Sequence, residues 1–586
     1  MIRRIRRRSF LEDHRQTLLA DKAISPLAAR ILAGRGVDDP AALDLGLKML
    51  CPAAALSGLE RAVALLRTAV EQDRRIVVVG DFDADGATSC ALTLLALRAM
   101  GHRSASYIVP NRFSGGYGLS PSIAEHAHAE GADLLLTVDN GVSSVDGVAR
   151  AKALGLSVIV TDHHLPPRQL PDADAIINPN LVGDGFPSKN LAGVGVIFYV
   201  LAALRGALRE ADWFCAGRPQ PSMADWLDLV ALGTVADVVP LDRNNRVLVE
   251  QGLRRIRAGR ARPGLLALLE VAGRTASRAT ASDLGFAVGP RLNAAGRLED
   301  MAIGIECLLA DDVGQAATMA AELDGLNRQR RSIEQNMESE ALAALEKLET
   351  AQGDATPPAA LCLFDPTWHQ GVIGILASRL RERFHRPVVA FAQADDGLKG
   401  SARSIPGLHI RDLLERVSAE NPGLIPKFGG HAAAAGLSLA AADLHRFQQA
   451  FLRAAEDSLD QDMLNQDLLT DGPLAPDELC LDTAQSLQAL GPWGKGFPEP
   501  SFDGRFEILQ RRVVGGRHLK LDLRPSPCPE DGAPVEAIAF RALDRGWDRC
   551  GRHVQLVYRP EVNYWQGRRR LQLIVEHMQT LNVSEE

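Results

Sequence analysis

Paired cysteines, long hydrophobic runs and a strong charge of either sign are all missing from this sequence. Its 8 Cys lie far apart with no CxxC pair. That pattern argues against a zinc ribbon or a disulfide frame and reads as reduced, mostly buried thiols of a cytoplasmic protein. Uncharged stretches such as Asn190–Leu204 fall short of the roughly 20 residues that cross a bilayer, so no membrane partner is expected. The opening MIRRIRRRSFLED is basic but has no apolar run behind it, unlike a secretory signal. No GxxxxGK[ST] is present, which excludes a Walker phosphate loop. There is no internal repeat and no low-complexity tract beyond alanine richness. The formal net charge of -8 does not by itself point to nucleic acid.

What is present is the composition of an ordinary globular protein, 46% hydrophobic and 24% charged. At about 150 residues per domain, its 586 residues suggest about four domains. Between residues 56 and 240, short apolar runs alternate with helical stretches. IVVVG (76–80), LLLTV (134–138), VIVT (158–161) and AIIN (175–178) read as buried strands of a parallel sheet, with helix-length segments at 87–100 and 145–154. The expected fold class is α/β: a doubly wound domain whose ligands gather at the carboxyl ends of its strands. Residues 326–352 contain no Gly or Pro, which predicts a long connecting helix. A second α/β segment follows, with strands near 360–364 and 387–392. After Gln466 the texture changes to short, aromatic-bearing strands with Gly and Pro turns, which suits a C-terminal β-barrel of OB-fold type. The expected divisions are a helical N-terminal segment (1–55), a catalytic α/β domain (56–304), the connecting helix (305–350), the second α/β domain (351–465) and the barrel (466–586).

The chemistry concentrates at strand ends. DFDADG places Asp81, Asp83 and Asp85 directly after the first strand, where three carboxylates at alternate positions repel one another unless a cation lies among them. Taken singly, the motif fits a polar turn or a calcium-type loop as well. LLLTVDNG adds Asp139, VIVTDHHLP adds Asp162, His163 and His164, and DLVALGTVADVVPL, read as a helix, ends on Asp237. A lone Asp after a strand is usually a turn former, but four such placements on one sheet edge are not explained that way. Carboxylates with one or two imidazoles suit Mn²⁺ or Mg²⁺ better than zinc. Two such ions about 3.5–4 Å apart can activate water and stabilise both oxygens of a phosphoester displacement. Asp139 is the candidate bridging carboxylate.

DFDADG, VDNG, DHH and ADVVPL in this order are similar to the motifs of the DHH phosphoesterase superfamily. PNRFSGGYGLS, PRLNAAGRLED, KGSARSIPGLHI, KFGGHAAAAGL and GPWGKGFPEP resemble the RecJ exonuclease family within it, and the resemblance covers most of residues 56–505. It implies a DHH-type sheet domain joined by the long helix to an associated second domain that clamps DNA. By the same resemblance, Asp81, Asp83, Asp85, Asp139, His163 and Asp237 hold two divalent cations, Mn²⁺ or Mg²⁺. Asp162 then orients a ligand and His164 faces the scissile phosphate. Ser401, Arg403, Gly429, Gly430 and His431, in SARS and FGGH, become phosphate contacts, since Gly-rich backbone lets N–H groups approach phosphate closely. Arg112, Arg291 and Arg297 join them, although an isolated Arg is more often a solvated surface residue. WHQGVIGILASRL reads as a core helix with His369 near its polar end.

Residues 503–575 carry 14 Lys and Arg against 9 Asp and Glu. Phe502, Phe506, Phe540, Trp547, Tyr558, Tyr564 and Trp565 interleave with them. Any one of these aromatics is best read as core, but the pairing with basic residues and the resemblance together imply single-stranded DNA binding, with Arg568, Arg569 and Arg570 as the exposed candidate. The resemblance implies 5′→3′ exonuclease activity on single-stranded DNA, releasing 5′-mononucleotides in recombination and repair. The expected enzyme is a monomer working beside a helicase and a single-stranded-DNA-binding protein. Two other readings compete. A phosphodiesterase for short oligonucleotides or cyclic dinucleotides would need neither the barrel nor the long helix. An inactive DNA-binding scaffold would have lost ligands, and every expected Asp and His is present.

Overall fold

A computed structural model describes residues 3–110, 118–352, 358–394, 397–460, 463–526 and 534–581. They form two compact units.

The larger unit contains a five-stranded parallel sheet in the order Ala105–Ile108, Ile76–Val79, Leu134–Val138, Ser157–Thr161, Ala175–Ile177. The central strands are β-branched or Leu-rich and buried along their whole length, as expected when helices cover both faces. The chain runs from Ile76–Val79 to its neighbour on one side, Ala105–Ile108, and then crosses to Leu134–Val138 on the other. The crossing creates a crevice at the carboxyl ends of these two central strands, the place where ligands bind in such sheets. The buried Asn140 holds it together, donating to the carbonyls of Val79 and Val138, both at 2.9 Å. Helices Ala84–Ala99, Gly193–Glu210 and Leu227–Ala236 pack on one another beside the crevice. The edge strand Ala105–Ile108 was not legible as an apolar run, because it is only partly buried and reads ASYI.

The barrel belongs to the same unit. It closes in the order Phe502–Val514, His518–Ser526, Val535–Ala539, Arg568–Thr580, His553–Trp565, with Val535–Ala539 and Arg568–Thr580 parallel, an OB-type arrangement. Phe502, Phe506, Trp547 and Tyr558 fill its interior. Three of its strands are longer than the short strands expected, 13 residues each in Phe502–Val514, His553–Trp565 and Arg568–Thr580. Gln566 and Gly567 both have positive φ, so the hairpin of the last two closes through a two-residue turn matched to strand twist. It carries the exposed Tyr564, Arg568, Arg569 and Arg570 at its tip.

The N-terminal segment is not purely helical: strand Arg3–Arg7 precedes helices Glu12–Leu19 and Pro26–Ala33. Its one apolar residue, Ile5, is flanked on both sides by Arg, which fits a short strand better than a helix with an apolar face.

The smaller unit is a five-stranded mixed sheet, ordered Lys427–Gly430, Ala434–Leu439, Gly397–Arg403, Val388–Ala394, Leu361–Phe364. One face packs on helices Ile410–Glu420 and Leu444–Ser458. The other packs on helix Ile373–Phe384 and on Met337, Ala341 and Leu345 of the long helix. That helix runs Val313–Gln352, later than the 305 start expected, because residues 305–309 close a separate helix, Ala302–Leu309. No single helix among the described residues is long and apolar enough to cross a membrane.

Candidate metal centre

Asp81 follows the first central strand, two residues beyond Val79, and is buried. Asp83 and Asp85 are not at the strand end itself. Asp83 caps helix Ala84–Ala99, accepting from the N–H groups of Asp85 and Gly86 at 3.0 and 3.1 Å. Asp85 lies in that helix's first turn. Its two oxygens accept the N–H groups of Gly193 and Val194, at 2.6 and 2.9 Å, at the start of helix Gly193–Glu210. The helix can come this close only because residue 193 is glycine: a Cβ there would stand 2.4 Å from Asp139 Cβ.

Asp139 follows the second central strand with φ +62°, a left-handed conformation that Asp tolerates better than most residues. His163 Nε2 lies 3.1 Å from Asp139 Oδ1 and 3.5 Å from Asp237 Oδ2. Asp237 ends helix Leu227–Ala236, and the next residue, Val238, has φ +61°. A β-branched residue in that region is strained, and such strain collects at functional sites.

The potential donors form overlapping groups. Atoms of Asp81, Asp83 and Asp139 lie within 4.8 Å of one another, as do those of Asp85, His163 and Asp237, and those of Asp139, His163 and His164. Crowding is visible in the carboxyl groups. Burial, then the charge of Asp83, pushes Asp85 up to about 7, against the hydrogen bonds from Val194 and Gly193. Burial together with Asp85, Asp83, Asp237 and Asp81 raises Asp139 well above the usual carboxylate range. Burial, Asp85 and Asp83 do the same to Asp237, while His164 and Lys495 act in the opposite sense. A buried nest of mutually repelling carboxylates with one imidazole is a hard-cation donor set.

Asp162 plays a different part. Its Oδ1 accepts from the N–H groups of His163 and His164, at 2.7 and 3.0 Å, and lies 2.7 Å from His164 Nδ1, while its Oδ2 accepts from Val142 N–H at 2.9 Å. Burial disfavours its charge, but the His164 ring and these N–H groups outweigh burial and hold it below the usual carboxylate range. For His164, burial lowers the pKa. The Asp162 hydrogen bond and charge, with Asp237 and Asp81, overcome it and push the ring up to about 9.

The motif GPWGKGFPEP had no assigned chemistry; the fold gives it a position. Leu241 N–H, just beyond Asp237, donates to Lys495 O at 2.7 Å. Trp493 and Phe497 stack at 5.1 Å, and Arg246 lies 3.9 Å over the Phe497 ring. This loop buttresses the segment that carries Asp237 and brings a cation, Lys495, into its field. A lysine between glycines gave no sequence signal for that.

The remaining candidate residues are distributed as follows. In the larger unit, Arg291 is buried and donates to Ala287 O at 2.7 Å. In the smaller unit, Arg297 donates to Gly371 O at 3.1 Å. Arg403 donates to Ser378 Oγ at 3.1 Å and Ser401 Oγ at 2.9 Å. Its Nη2 would lie 2.9 Å from a Cβ on Gly374, in the first turn of helix Ile373–Phe384. His369 Nδ1 accepts Gly371 N–H at 3.1 Å near the start of that helix. Gly429 pairs with Gly436, and Gly436 with Ser401, across three neighbouring strands; nothing lies within 4 Å of where a Gly429 Cβ would be. Gly430 has φ +146°, and His431 N–H donates to Ala434 O at 2.8 Å. Arg112 lies outside the described residues, as does the Trp565 side chain. Of the barrel aromatics, Phe540 and Tyr564 are exposed.

Three family models match the chain: the DHH family N-terminal domain over residues 75–234, the DHHA1 domain over 358–457 and the RecJ OB domain over 470–577. The chain is 54% identical to the single-stranded-DNA-specific exonuclease RecJ of Escherichia coli, covering 95% of this chain and 96% of that protein. It is 36% identical to the protein of the same name from Thermus thermophilus, covering 86% and 70%. The crystal structure of the Thermus thermophilus RecJ with Mn²⁺ matches with a TM-score of 0.80 at 32% identity, over 99% of this chain and 80% of that one. Its Mg²⁺ complex matches with a TM-score of 0.75 at 30% identity, over 99% and 78%.

Proposed function

The chain belongs to the RecJ family of single-stranded-DNA-specific exonucleases, and from that premise we propose how its own residues perform the hydrolysis. It is a metal-dependent exonuclease on single-stranded DNA. Similarity over nearly the whole chain, barrel included, favours this over a small-substrate phosphodiesterase, and the intact donor set disfavours an inactive scaffold.

One observation carries the residue assignment: two groups of donors meet where His163 Nε2 and Asp139 Oδ1 approach to 3.1 Å. Asp81, Asp83 and Asp139 would hold one divalent cation, and Asp85, His163 and Asp237 the other. Mn²⁺ or Mg²⁺ held there would supply a lowered pKa for attacking water and charge to offset that of the phosphate. Burial and mutual repulsion disfavour the charged forms of Asp139 and Asp237, and a cation beside them would favour those forms. Asp85 holds the Gly193 end of its helix against the site while retaining lone pairs for ligation. Asp162 keeps the His164 ring protonated and aimed, and the ring donates a hydrogen bond to a phosphate oxygen, steadying charge as the bond to the leaving oxygen breaks. Ser401, Arg403, Gly429, Gly430 and His431 take phosphates of the strand, and Arg297 and Arg112 belong to the same set. Arg291 supports backbone at Ala287 in the structure and serves that set by positioning.

Cleavage in the 5′→3′ direction with release of 5′-mononucleotides, a role in recombination and repair, and work as a monomer beside a helicase and a single-stranded-DNA-binding protein complete the proposal. Arg403 beside a helix start, a natural seat for a terminal phosphate, supports the polarity. The test is digestion of single-stranded DNA labelled at the 5′ or the 3′ end, with Mn²⁺. The 5′ label should appear first, as mononucleotide. Early release of the 3′ label would reverse the polarity, and no release would refute the activity.

A further inference from the structure

Phe286 is 79% exposed, and no other described Phe, Tyr or Trp is as exposed. It lies in Leu284–Val288, a π-helical turn that leads into helix Gly289–Leu298. The widened turn shifts the register, so Leu284, Ala287 and Val288 are buried while Phe286 turns outward. Such turns recur at functional sites, and leaving a whole phenyl ring in water forgoes burial that folding alone would favour.

Its position relative to the metal centre follows from close contacts. A Cβ on Gly285 would stand 3.1 Å from Val235 Cγ1, and one on Gly289 would stand 3.2 Å from Ala236 Cβ. The π turn therefore rests on the last turn of the helix that ends at Asp237. Val238, the next residue, is itself 57% exposed. The segment just before the π turn also meets the barrel hairpin. Arg278 lies 4.2 Å over the Tyr564 ring at the hairpin tip, and the charges of Arg274 and Asp283 reach Glu561 on the same hairpin.

We propose that Phe286 is the platform on which a base of the bound strand stacks beside the metal centre; this rests on the exonuclease reading above. An enzyme that degrades any sequence needs a grip on the base that makes no hydrogen-bond choice, and a π-face offers that to all bases. The phosphate and metal contacts fix the backbone, and the ring fixes the nucleoside attached to it.

The test uses the full chain and oligonucleotides in which 2-aminopurine is moved stepwise from the 5′ end, bound in EDTA so that no cleavage occurs. One position near the end should lose fluorescence on the wild-type protein by stacking. Phe286→Ala should abolish that quenching and raise KM for single-stranded DNA roughly tenfold or more, with Mn²⁺ affinity and melting temperature unchanged. Phe286→Trp should retain both quenching and KM. Wild-type quenching and KM in Phe286→Ala would overturn the proposal, as would a lowered melting temperature, which would make the ring structural. Failure of the wild type to release either end label would instead refute the exonuclease reading.

Discussion

Asp85 and Gly193 are joined by a 2.6 Å hydrogen bond from the glycine N–H to the carboxylate, so one side chain both caps a helix and lies within the candidate metal-binding cluster. For Asp139, burial and four other carboxylates dominate the surroundings. The two acids should respond oppositely to removal. In metal-free protein, Asp85→Ala should lower stability by about 1–2 kcal/mol, the usual cost of a lost helix cap. Asp139→Asn keeps a residue that tolerates the left-handed φ and removes a crowded charge, so it should raise the melting temperature while abolishing hydrolysis. Thermal melts in EDTA beside Mn²⁺-dependent assays check both; a destabilised Asp139→Asn would contradict the electrostatic account.

The carboxyl cluster also sets a pH dependence. Asp85 is raised to about 7, and Asp139 and Asp237 are raised in the same direction. In metal-free protein, the folded state therefore holds protons that the unfolded chain has released. That contribution is fully present below the ordinary carboxylate pKa, about 4, and is lost as pH rises through about 7 and beyond. Melting temperature in EDTA should fall as pH rises through that range. On the proposed ligation Mn²⁺ displaces those protons, so its affinity should rise over the same interval with measurable proton release. Calorimetry in buffers of different ionisation enthalpy reads the proton count, and a count of zero would remove the raised carboxyls from the ligand set.

Asp162 and His164 form a second titrating pair with the opposite logic. The ring is pushed up to about 9 by a carboxylate that is itself held low. Asp162→Asn should return the His164 pKa toward about 6.5 and lower kcat by on the order of a hundredfold at about pH 8, with a smaller loss at about pH 6. NMR titration of the metal-free protein follows the ring. An unchanged His164 pKa would mean that Asp237 and Asp81, rather than Asp162, set its charge.

At the hairpin tip, Arg570 has a carboxylate nearby, Glu536 at 3.6 Å. Arg568 and Arg569 are the cleaner probes of nucleic-acid contact. Replacing both with Gln should reduce the salt slope of single-strand binding by about 1.4, at roughly 0.7 per phosphate contact. Equal slopes for wild type and variant would leave the barrel without this contact.

Arg403 is held by Ser378 and Ser401 beside the start of helix Ile373–Phe384. Arg403→Ala should reduce the preference for a 5′-phosphate over a 5′-hydroxyl end, and Arg403→Lys should restore it only in part, because an ammonium cannot reproduce the guanidinium fork. The ratio of cleavage efficiencies on the two strands decides it, with Mn²⁺ affinity as the control.

Local sequence carried much of this protein. IVVV and LLLTV read as strands because burial on both faces of a parallel sheet demands unbroken β-branched and aliphatic runs. DFDADG and DHH stood out because adjacent carboxylates and imidazoles are unfavourable without a task. Those signals depend on neighbours along the chain. What tertiary structure alone decided was which distant groups meet: Asp85 with the Gly193 helix start, Asp237 with His163, and the Lys495 loop against Leu241. Nothing within a few residues of Asp237 encodes its approach to His163, since that distance is set by helix packing on the sheet. Likewise only the π turn, a register shift of one residue where the chain packs on Val235 and Ala236, turns Phe286 out toward solvent.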